Sequence, residues 1–177
     1  CDRLGVDVWE VIKAATSKPF GYMPFYPGPG VGGHCIPVDP LYLSWKMKTL
    51  HYNSKYIQLA SEMNAYMPHY VMDKITNALN DDGKAVRGAK VVVLGVAYKR
   101  DIDDVRESPA LDVLKLLHEK GAAVVYHDPF VAQLRLEDGT TMQNVAYSTD
   151  LLAGADCVVI TTDHSQFDYQ HVLDHTQ

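Results

Sequence analysis

The sequence predicts an α/β protein in which a helical segment, ending in a long linking helix, precedes a parallel sheet. Two observations carry this prediction. Between residues 54 and 79, apolar side chains recur every three or four positions, which is the period of an amphipathic helix. From Lys90 onward, short fully apolar runs alternate with helical segments, as in parallel strands covered on both faces. We therefore expect a helical unit over residues 1–86 and an α/β unit over residues 87–177.

The first part of the chain predicts two helices separated by a loop. Residues 1–16 have helical spacing and open as if inside a helix, so we expect the chain, which begins with Cys1 rather than Met, to be a fragment. Residues 17–38 hold five prolines and many glycines, so neither helix nor strand is expected to persist there. Asp39 followed by Pro40 is typical of a helix start, with Asp39 as N-cap.

The remaining elements follow in order. Pro68 interrupts the long helical pattern, and we expect a kink or break there. Ser108 and Pro109 are typical of a helix start and Gly121 of a helix end. Apolar runs on either side of this helix predict a β-α-β unit; the predicted strands cover residues 91–94, 124–126 and 158–160.

Composition excludes several classes of protein. Hydrophobic residues make up 47% of the 177 residues, yet no apolar run approaches the ~18 residues that cross a membrane. The net charge of −6, without a Lys/Arg cluster, gives no face for a nucleic acid. Three scattered cysteines favour neither a disulfide framework nor a paired zinc site. We expect a soluble, cytoplasmic protein with no membrane or nucleic-acid partner.

A glycine loop (residues 28–34) precedes Cys35 and contains four glycines in six residues. Such a loop exposes backbone N–H groups and allows a ligand to approach closely. A following helix start and the neighbouring His34 would both favour the thiolate form of Cys35, which attacks carbonyl carbon. An inert, buried cysteine is the alternative. A metal site at His34 and Cys35 lacks further His/Cys spacing, so we expect no metal.

A strand-end loop (residues 95–109) lies between a predicted strand and a helix start. Phosphate-bearing ligands bind at this edge of an open α/β sheet, and Lys99, Arg100 and Arg106 supply cations. The loop lacks GxGxxG, so it is not an ordinary dinucleotide loop, and a solvated run of charges is the alternative. Asp128, after the second strand, could meet a ribose hydroxyl or simply form a turn.

Two long motifs resemble one family. They are FYPGPGVGGHCIPVDPLYLSWKMK, at residues 25–48, and GVAYKRDIDDVRESPALDVL, at residues 95–114. Both resemble the UDP-glucose/GDP-mannose dehydrogenase family, and within it the UDP-N-acetylglucosamine and UDP-N-acetylmannosamine 6-dehydrogenases. The resemblance implies a C-terminal portion of such an enzyme, with an incomplete, Rossmann-like UDP-sugar-binding domain over residues 87–177. The family's NAD-binding domain, with an upstream lysine and asparagine, precedes this region.

The resemblance also implies an activity. Family members oxidise a sugar CH2OH group to carboxylate in two hydride transfers to NAD, through a thiohemiacetal and then a thioester on a cysteine. Cys35 would be the nucleophile, and Asp39 would orient or deprotonate water. NAD is the implied cofactor, a UDP-sugar the substrate, and a second copy, bound through the long helix, the partner.

The implied binding residues lie in the same two motifs. Those expected to contact the sugar nucleotide are Tyr26, Gly28, Gly30, Val31, Gly32, Gly33, Tyr98 and Lys99. Those expected on the NAD side are Cys35, Ile36, Pro37, Val38 and Arg106. A non-catalytic sugar-nucleotide-binding module is one alternative, although such a protein would not need Cys35. A Cys-His hydrolase is another, although it would need a third orienting residue and no nucleotide loop.

Overall fold

The fold is a set of helices followed by a parallel sheet, as the sequence predicts. The computed structural model describes residues 1–176. Its helices are α1 (Val8–Thr16), α2 (Cys35–Lys48), α3 (Lys55–Asp81), α4 (Pro109–Glu119), α5 (Thr149–Ala153) and α6 (Tyr169–His175). Its strands are β1 (Lys90–Leu94), β2 (Ala123–His127), β3 (Gln133–Arg135), β4 (Thr141–Gln143) and β5 (Cys157–Ile160). Among these residues, none of the helices combines the length and the hydropathy needed to cross a membrane.

Three parallel strands form the sheet, in the order β2-β1-β5. Val92 at its centre pairs with Val125 on one side and Val158 on the other. The apolar side chains of β1 are fully buried, which explains the continuous apolar run in the sequence. Strands β2 and β5 lie on opposite sides of β1, so the strand order reverses at β1, and ligands of open α/β sheets bind beyond the carboxyl ends of strands at such a point. The antiparallel β3–β4 hairpin was not predicted, because three-residue strands are too short to show an alternating pattern.

The long helix α3 is packed along only part of its length. In its second half Met72, Ile75 and Leu79 are buried in the same core as Leu114 and Leu117 of α4. In its first half, large apolar side chains remain exposed: Tyr56, Leu59, Met63 and Tyr66. The predicted apolar stripe is therefore buried against the sheet-bearing part of the chain only in the second half of the helix.

Two predicted helix starts are wrong. Helix α1 does not continue from upstream, because the Asp7 side chain caps it by accepting a hydrogen bond from the Trp9 N–H at 2.7 Å. Helix α2 begins at Cys35, so Asp39 lies inside the helix and is not its N-cap. Pro37 is tolerated there because the first N–H groups of a helix have no partner within the helix.

Pro68 does not break α3, which continues from Lys55 to Asp81. The missing N–H of Pro68 removes one hydrogen bond from the helix, but the proline is buried and packs like an apolar residue. The start of α4 is as predicted, since Ser108 accepts a hydrogen bond from Ala110 N–H and Pro109 is the first helical residue.

Candidate active site

The glycine loop is fixed to α3 by one side chain. Asn64 accepts a hydrogen bond from the Val31 N–H at 2.6 Å and donates one from its amide nitrogen to the Val31 carbonyl at 3.0 Å. The backbone N–H and carbonyl of Val31 are thus both paired with the Asn64 side-chain amide, as they would be with a neighbouring β-strand. These two hydrogen bonds fix the position of the glycine loop along the axis of α3.

The glycine loop also packs directly against the strand-end loop. The Gly33 N–H donates a hydrogen bond to the Arg106 carbonyl at 3.0 Å. A Cβ placed on Gly32 would lie 2.5 Å from the Glu107 carbonyl oxygen and 2.6 Å from the Tyr98 Cβ. Gly33 has φ of 83°, and a Cβ there would meet the Tyr98 ring at 2.8 Å. The two glycines are therefore required by close approach of the two loops.

Cys35 is the first residue of α2 and lies just beyond this contact. Its thiol is free and exposed, so the expectation of a buried cysteine is wrong. His34 Nδ1 lies 3.6 Å from the Asp39 carboxylate, and one ligand atom from each of His34, Cys35 and Asp39 lies within 4.8 Å of the other two. The helix brings Cys35 and Asp39 together because residues four apart share a face.

A cavity of about 710 Å³ lies between the glycine loop and the helices α2 and α3. Six of the predicted binding residues line it: Tyr26, Gly28, Gly30, Val31, Ile36 and Pro37. Tyr26 is held by stacking on Trp9 of α1, with ring centroids 5.9 Å apart. Val38 lies elsewhere, on a smaller hollow formed with Leu41, Tyr42 and Trp45.

The strand-end loop carries the predicted cations on its surface. The Tyr98 N–H donates to the Asp104 carbonyl at 2.9 Å, and Lys99 is exposed. Arg106 is also exposed, and its guanidinium binds the Asp104 carboxylate, with Nη2 2.6 Å from Oδ2. Hydrogen bonds from the Arg106 side chain and N–H lower the pKa of Asp104. Arg106 is thus oriented by a neighbouring carboxylate before any ligand arrives.

Asp128 is not free to contact a ribose hydroxyl, which was one of the two roles considered for it. It is fully buried, and His164 Nε2 lies 2.9 Å from its Oδ2. Its carboxylate also accepts hydrogen bonds from four backbone N–H groups, those of Val96, Ala97, Phe130 and Val131. Burial would raise the pKa of Asp128, but hydrogen bonds from the backbone and from His164 outweigh it and lower the pKa. Asp128 therefore holds the strand-end loop in place.

Several residues that support the site gave no signal in the sequence. His164 is fully buried; its Nδ1 accepts a hydrogen bond from the Asp101 N–H at 2.9 Å, so its Nε2 carries the proton donated to Asp128. Thr162 donates to the Ala97 carbonyl at 2.6 Å. Both follow β5 and lie next to the strand-end loop only because β5 pairs with β1.

These features define an α/β protein in which an exposed thiol lies near the loop at the carboxyl end of β1, the edge of a parallel sheet where ligands bind. The model of the UDP-glucose/GDP-mannose dehydrogenase family's central domain matches residues 1–66, and that of the same family's UDP binding domain matches residues 92–176. The chain belongs to this family.

Individual relatives agree with this assignment. A UDP-N-acetyl-D-mannosamine dehydrogenase of Methanococcus maripaludis is 37% identical over 167 residues, which is 94% of this chain and 36% of the relative. One from Campylobacter jejuni is 38% identical, over 94% of this chain and 40% of the relative. The solved UDP-D-ManNAc dehydrogenase from Pyrococcus horikoshii has a TM-score of 0.82 at 29% identity, covering 99% of this chain and 39% of that structure. The chain thus spans well under half the length of these relatives.

Proposed function

We propose that this chain is the central and UDP-binding part of an NAD-dependent UDP-N-acetylhexosamine 6-dehydrogenase, with Cys35 as its nucleophile. The observation that carries the proposal is the hydrogen bond from Gly33 N–H to the Arg106 carbonyl at 3.0 Å. It ties the segment that presents the thiol to the loop where an α/β sheet receives a nucleotide. A sugar joined to a diphosphate on the strand-end loop then extends toward Cys35.

The exposed thiol suits covalent catalysis. The Cys35 thiolate attacks the sugar aldehyde carbon and, with a proton from water, forms a thiohemiacetal; loss of a hydride from carbon and of the hydroxyl proton to water converts this adduct to a thioester. NAD, when bound, would supply the hydride acceptor for both oxidations, of the alcohol to the aldehyde and of the thiohemiacetal to the thioester. The peptide N–H groups at the start of α2 lack partners within the helix and can stabilise oxyanion character at the reacting carbon.

Asp39 is proposed to activate the water that hydrolyses the thioester. Its carboxylate is half exposed, and a carboxylate oxygen lies within 4.8 Å of the Cys35 sulfur. A separation of up to 4.8 Å can be bridged by one water molecule. A base in this position removes a proton from water next to the acyl carbon.

The residues present fit one side of an NAD site. Ile36 is exposed, and together with Pro37 and Tyr26 it forms an apolar wall on the 710 Å³ cavity, a surface against which a nicotinamide ring can pack. The strand-end loop lacks GxGxxG, and the one run with that spacing, at residues 28–33, does not follow a strand, so most of the cofactor contacts would come from an additional NAD-binding domain. Arg106 is proposed to extend toward the cofactor from the opposite side.

Binding of UDP to this chain tests the nucleotide half of the proposal. Calorimetric titration with UDP should give weak binding that Lys99→Ala reduces, because an ammonium group lost from the strand-end loop removes a charge-assisted contact to a phosphate. Lys120→Ala, an exposed lysine at the end of α4, is the matched control and should bind as the parent does. Equal binding by the Lys99 variant and the parent would contradict the assignment of Lys99.

Cys35→Ser in the complete enzyme tests the covalent half. A serine ester hydrolyses far more slowly than a thioester, so turnover should stall after acylation or fail at hemiacetal formation. Intact mass measured after mixing the variant with NAD and UDP-N-acetylmannosamine should show either a sugar adduct on residue 35 or no reaction. Steady-state turnover at the parent rate would remove the covalent role of Cys35.

A further inference from the structure

The first turn of α2 brings together three different metal-ligating groups: the His34 imidazole, the Cys35 thiol and the Asp39 carboxylate. One ligand atom of each lies within 4.8 Å of the other two, and all three side chains are exposed. Within residues 1–176, no other side chain forms a hydrogen bond or an ion pair with any of the three. An ion from solvent could therefore reach the cluster without first displacing a protein contact.

The spacing of these atoms is close to that of a tetrahedral zinc site. With metal–nitrogen and metal–oxygen bonds of ~2.0–2.1 Å, two such ligands lie roughly 3.4 Å apart, and a sulfur ligand lies slightly farther away. The distance from His34 Nδ1 to Asp39 Oδ1 is 3.6 Å. The largest separation in the cluster is no more than 4.8 Å, so rotation of exposed side chains by about 1 Å would complete the geometry.

We propose that His34, Cys35 and Asp39 bind a single Zn²⁺ ion, leaving a fourth coordination position open to water. Thiolate, imidazole and carboxylate are all accepted zinc ligands. The thiolate and carboxylate together neutralise the ion, and the thiol proton passes to buffer when the metal binds. Because Cys35 cannot be both a metal ligand and a nucleophile, the bound ion blocks covalent chemistry at this sulfur.

The sequence did not predict this site because zinc ligands are recognised as spaced pairs of Cys and His. Here the three ligands occupy positions 34, 35 and 39. They converge only because α2 begins at Cys35, which places Asp39 one turn beyond the thiol on the same face. A helix beginning at Asp39 would have left Cys35 in the preceding loop.

Metal titration of this chain tests the proposal without NAD or a sugar nucleotide, so its failure leaves the proposed dehydrogenase function standing. The chain should carry Cys1→Ser, because the thiol and amino group of Cys1 form a separate chelate. Calorimetry should show one equivalent of Zn²⁺, and Co²⁺ should give a thiolate-to-cobalt charge-transfer band. Cys35→Ser should abolish that band, and Zn²⁺ should slow iodoacetamide alkylation of Cys35, followed by peptide mass mapping.

Substitution of the other two ligands provides the quantitative criterion. His34→Gln and Asp39→Asn should each weaken Zn²⁺ binding by about tenfold or more, since loss of outer contacts alone costs 10–100-fold at metal sites. Asp73→Asn, an exposed carboxylate on α3, is the control and should bind as the parent does. Unchanged affinity in either ligand variant, or a cobalt–thiolate band that survives Cys35→Ser, would overturn the site.

Discussion

Gly32 lies so close to the strand-end loop that no side chain fits at its position. Gly32→Ala would place a methyl group 2.5 Å from the Glu107 carbonyl oxygen, which belongs to the backbone and cannot rotate away. We expect the two loops to separate, with a loss of about 1–3 kcal/mol in the free energy of unfolding, as for overpacking elsewhere. Urea unfolding measures this loss.

Gly28→Ala is the matched control for Gly32→Ala. A Cβ at Gly28 meets nothing within 4 Å, and its backbone does not have a positive φ. The same substitution there should leave stability unchanged or slightly raised, because alanine restricts the unfolded chain. An equal loss of stability in both variants would show that the close contact between Gly32 and Glu107 is not the reason that Gly32→Ala destabilises the protein.

The buried carboxylate of Asp128 makes the stability of the fold depend on pH. Its pKa lies below the ordinary value of 3.8, so the ionised form stabilises the fold at higher pH and this contribution is lost as pH falls through the folded pKa. Asp128→Asn replaces an acceptor oxygen with a donor facing backbone N–H groups, and should cost about 3 kcal/mol at neutral pH. Urea midpoints between pH 7 and pH 3 should fall less steeply in the variant than in the parent.

Asp73→Asn serves as the control for Asp128→Asn, because it removes one exposed charge from the same fold. Its stability should stay within about 0.5 kcal/mol of the parent at every pH. If Asp128→Asn shows the same pH dependence as the parent, the acid sensitivity comes from other carboxylates.

At the level of elements, Asn64 couples α3 to the glycine loop. Asn64→Ala removes both hydrogen bonds to Val31, and net bonds of this kind contribute about 1 kcal/mol. Two such bonds together contribute about 2 kcal/mol, so hydrogen exchange of a peptide spanning residues 28–36 should become roughly thirtyfold faster, while peptides from β1 keep their protection. Asn77→Ala, exposed on the same helix, should leave exchange of the loop at the parent rate.

The sequence predicts elements that local patterns determine and fails where distant contacts decide. The strands β1, β2 and β5 are predicted to within one residue because a buried parallel strand is apolar throughout. The start of α2 is missed because Asp39 and Pro40 form a good local start signal, yet the chain already turns helical at Cys35. Asp128 resembles a ligand residue in sequence, and only its burial beside His164 reveals its structural role.

The candidate site shows the same division. The thiol, the glycines and the exposed lysine could be found from their residue types and spacing. Their supports could not, because Asn64 and Val31 are 33 residues apart and Thr162 and Ala97 are 65 apart. No local pattern reports a hydrogen bond across such distances.

For the whole molecule, the exposed stripe on α3 predicts self-association. Tyr56, Leu59, Met63 and Tyr66 lie on one helix face and are exposed, Tyr56 by 90%. We propose that a second copy covers this face, so light scattering after gel filtration should give the mass of a dimer. Leu59→Asp with Met63→Asp should shift the chain to monomer, because burying each parent side chain contributes about 1.5–3 kcal/mol.

Asn77→Asp adds a negative charge to the same helix away from the exposed stripe and should remain dimeric. A parent chain that elutes and scatters as a monomer at high micromolar concentration would contradict dimerisation through α3.

The contact between Gly33 and Arg106 also limits how such chains can be recombined. The glycine loop lies in the part matched by the central-domain model, and the strand-end loop in the part matched by the UDP-binding model. A hybrid that joins these parts from two different relatives would set a foreign loop against Gly32 and Gly33, where even one extra methyl group collides with Glu107 or Tyr98. A crossover anywhere along α3 takes the two loops from different parents. A functional chimaera should therefore also need one loop exchanged, so that both loops come from the same parent.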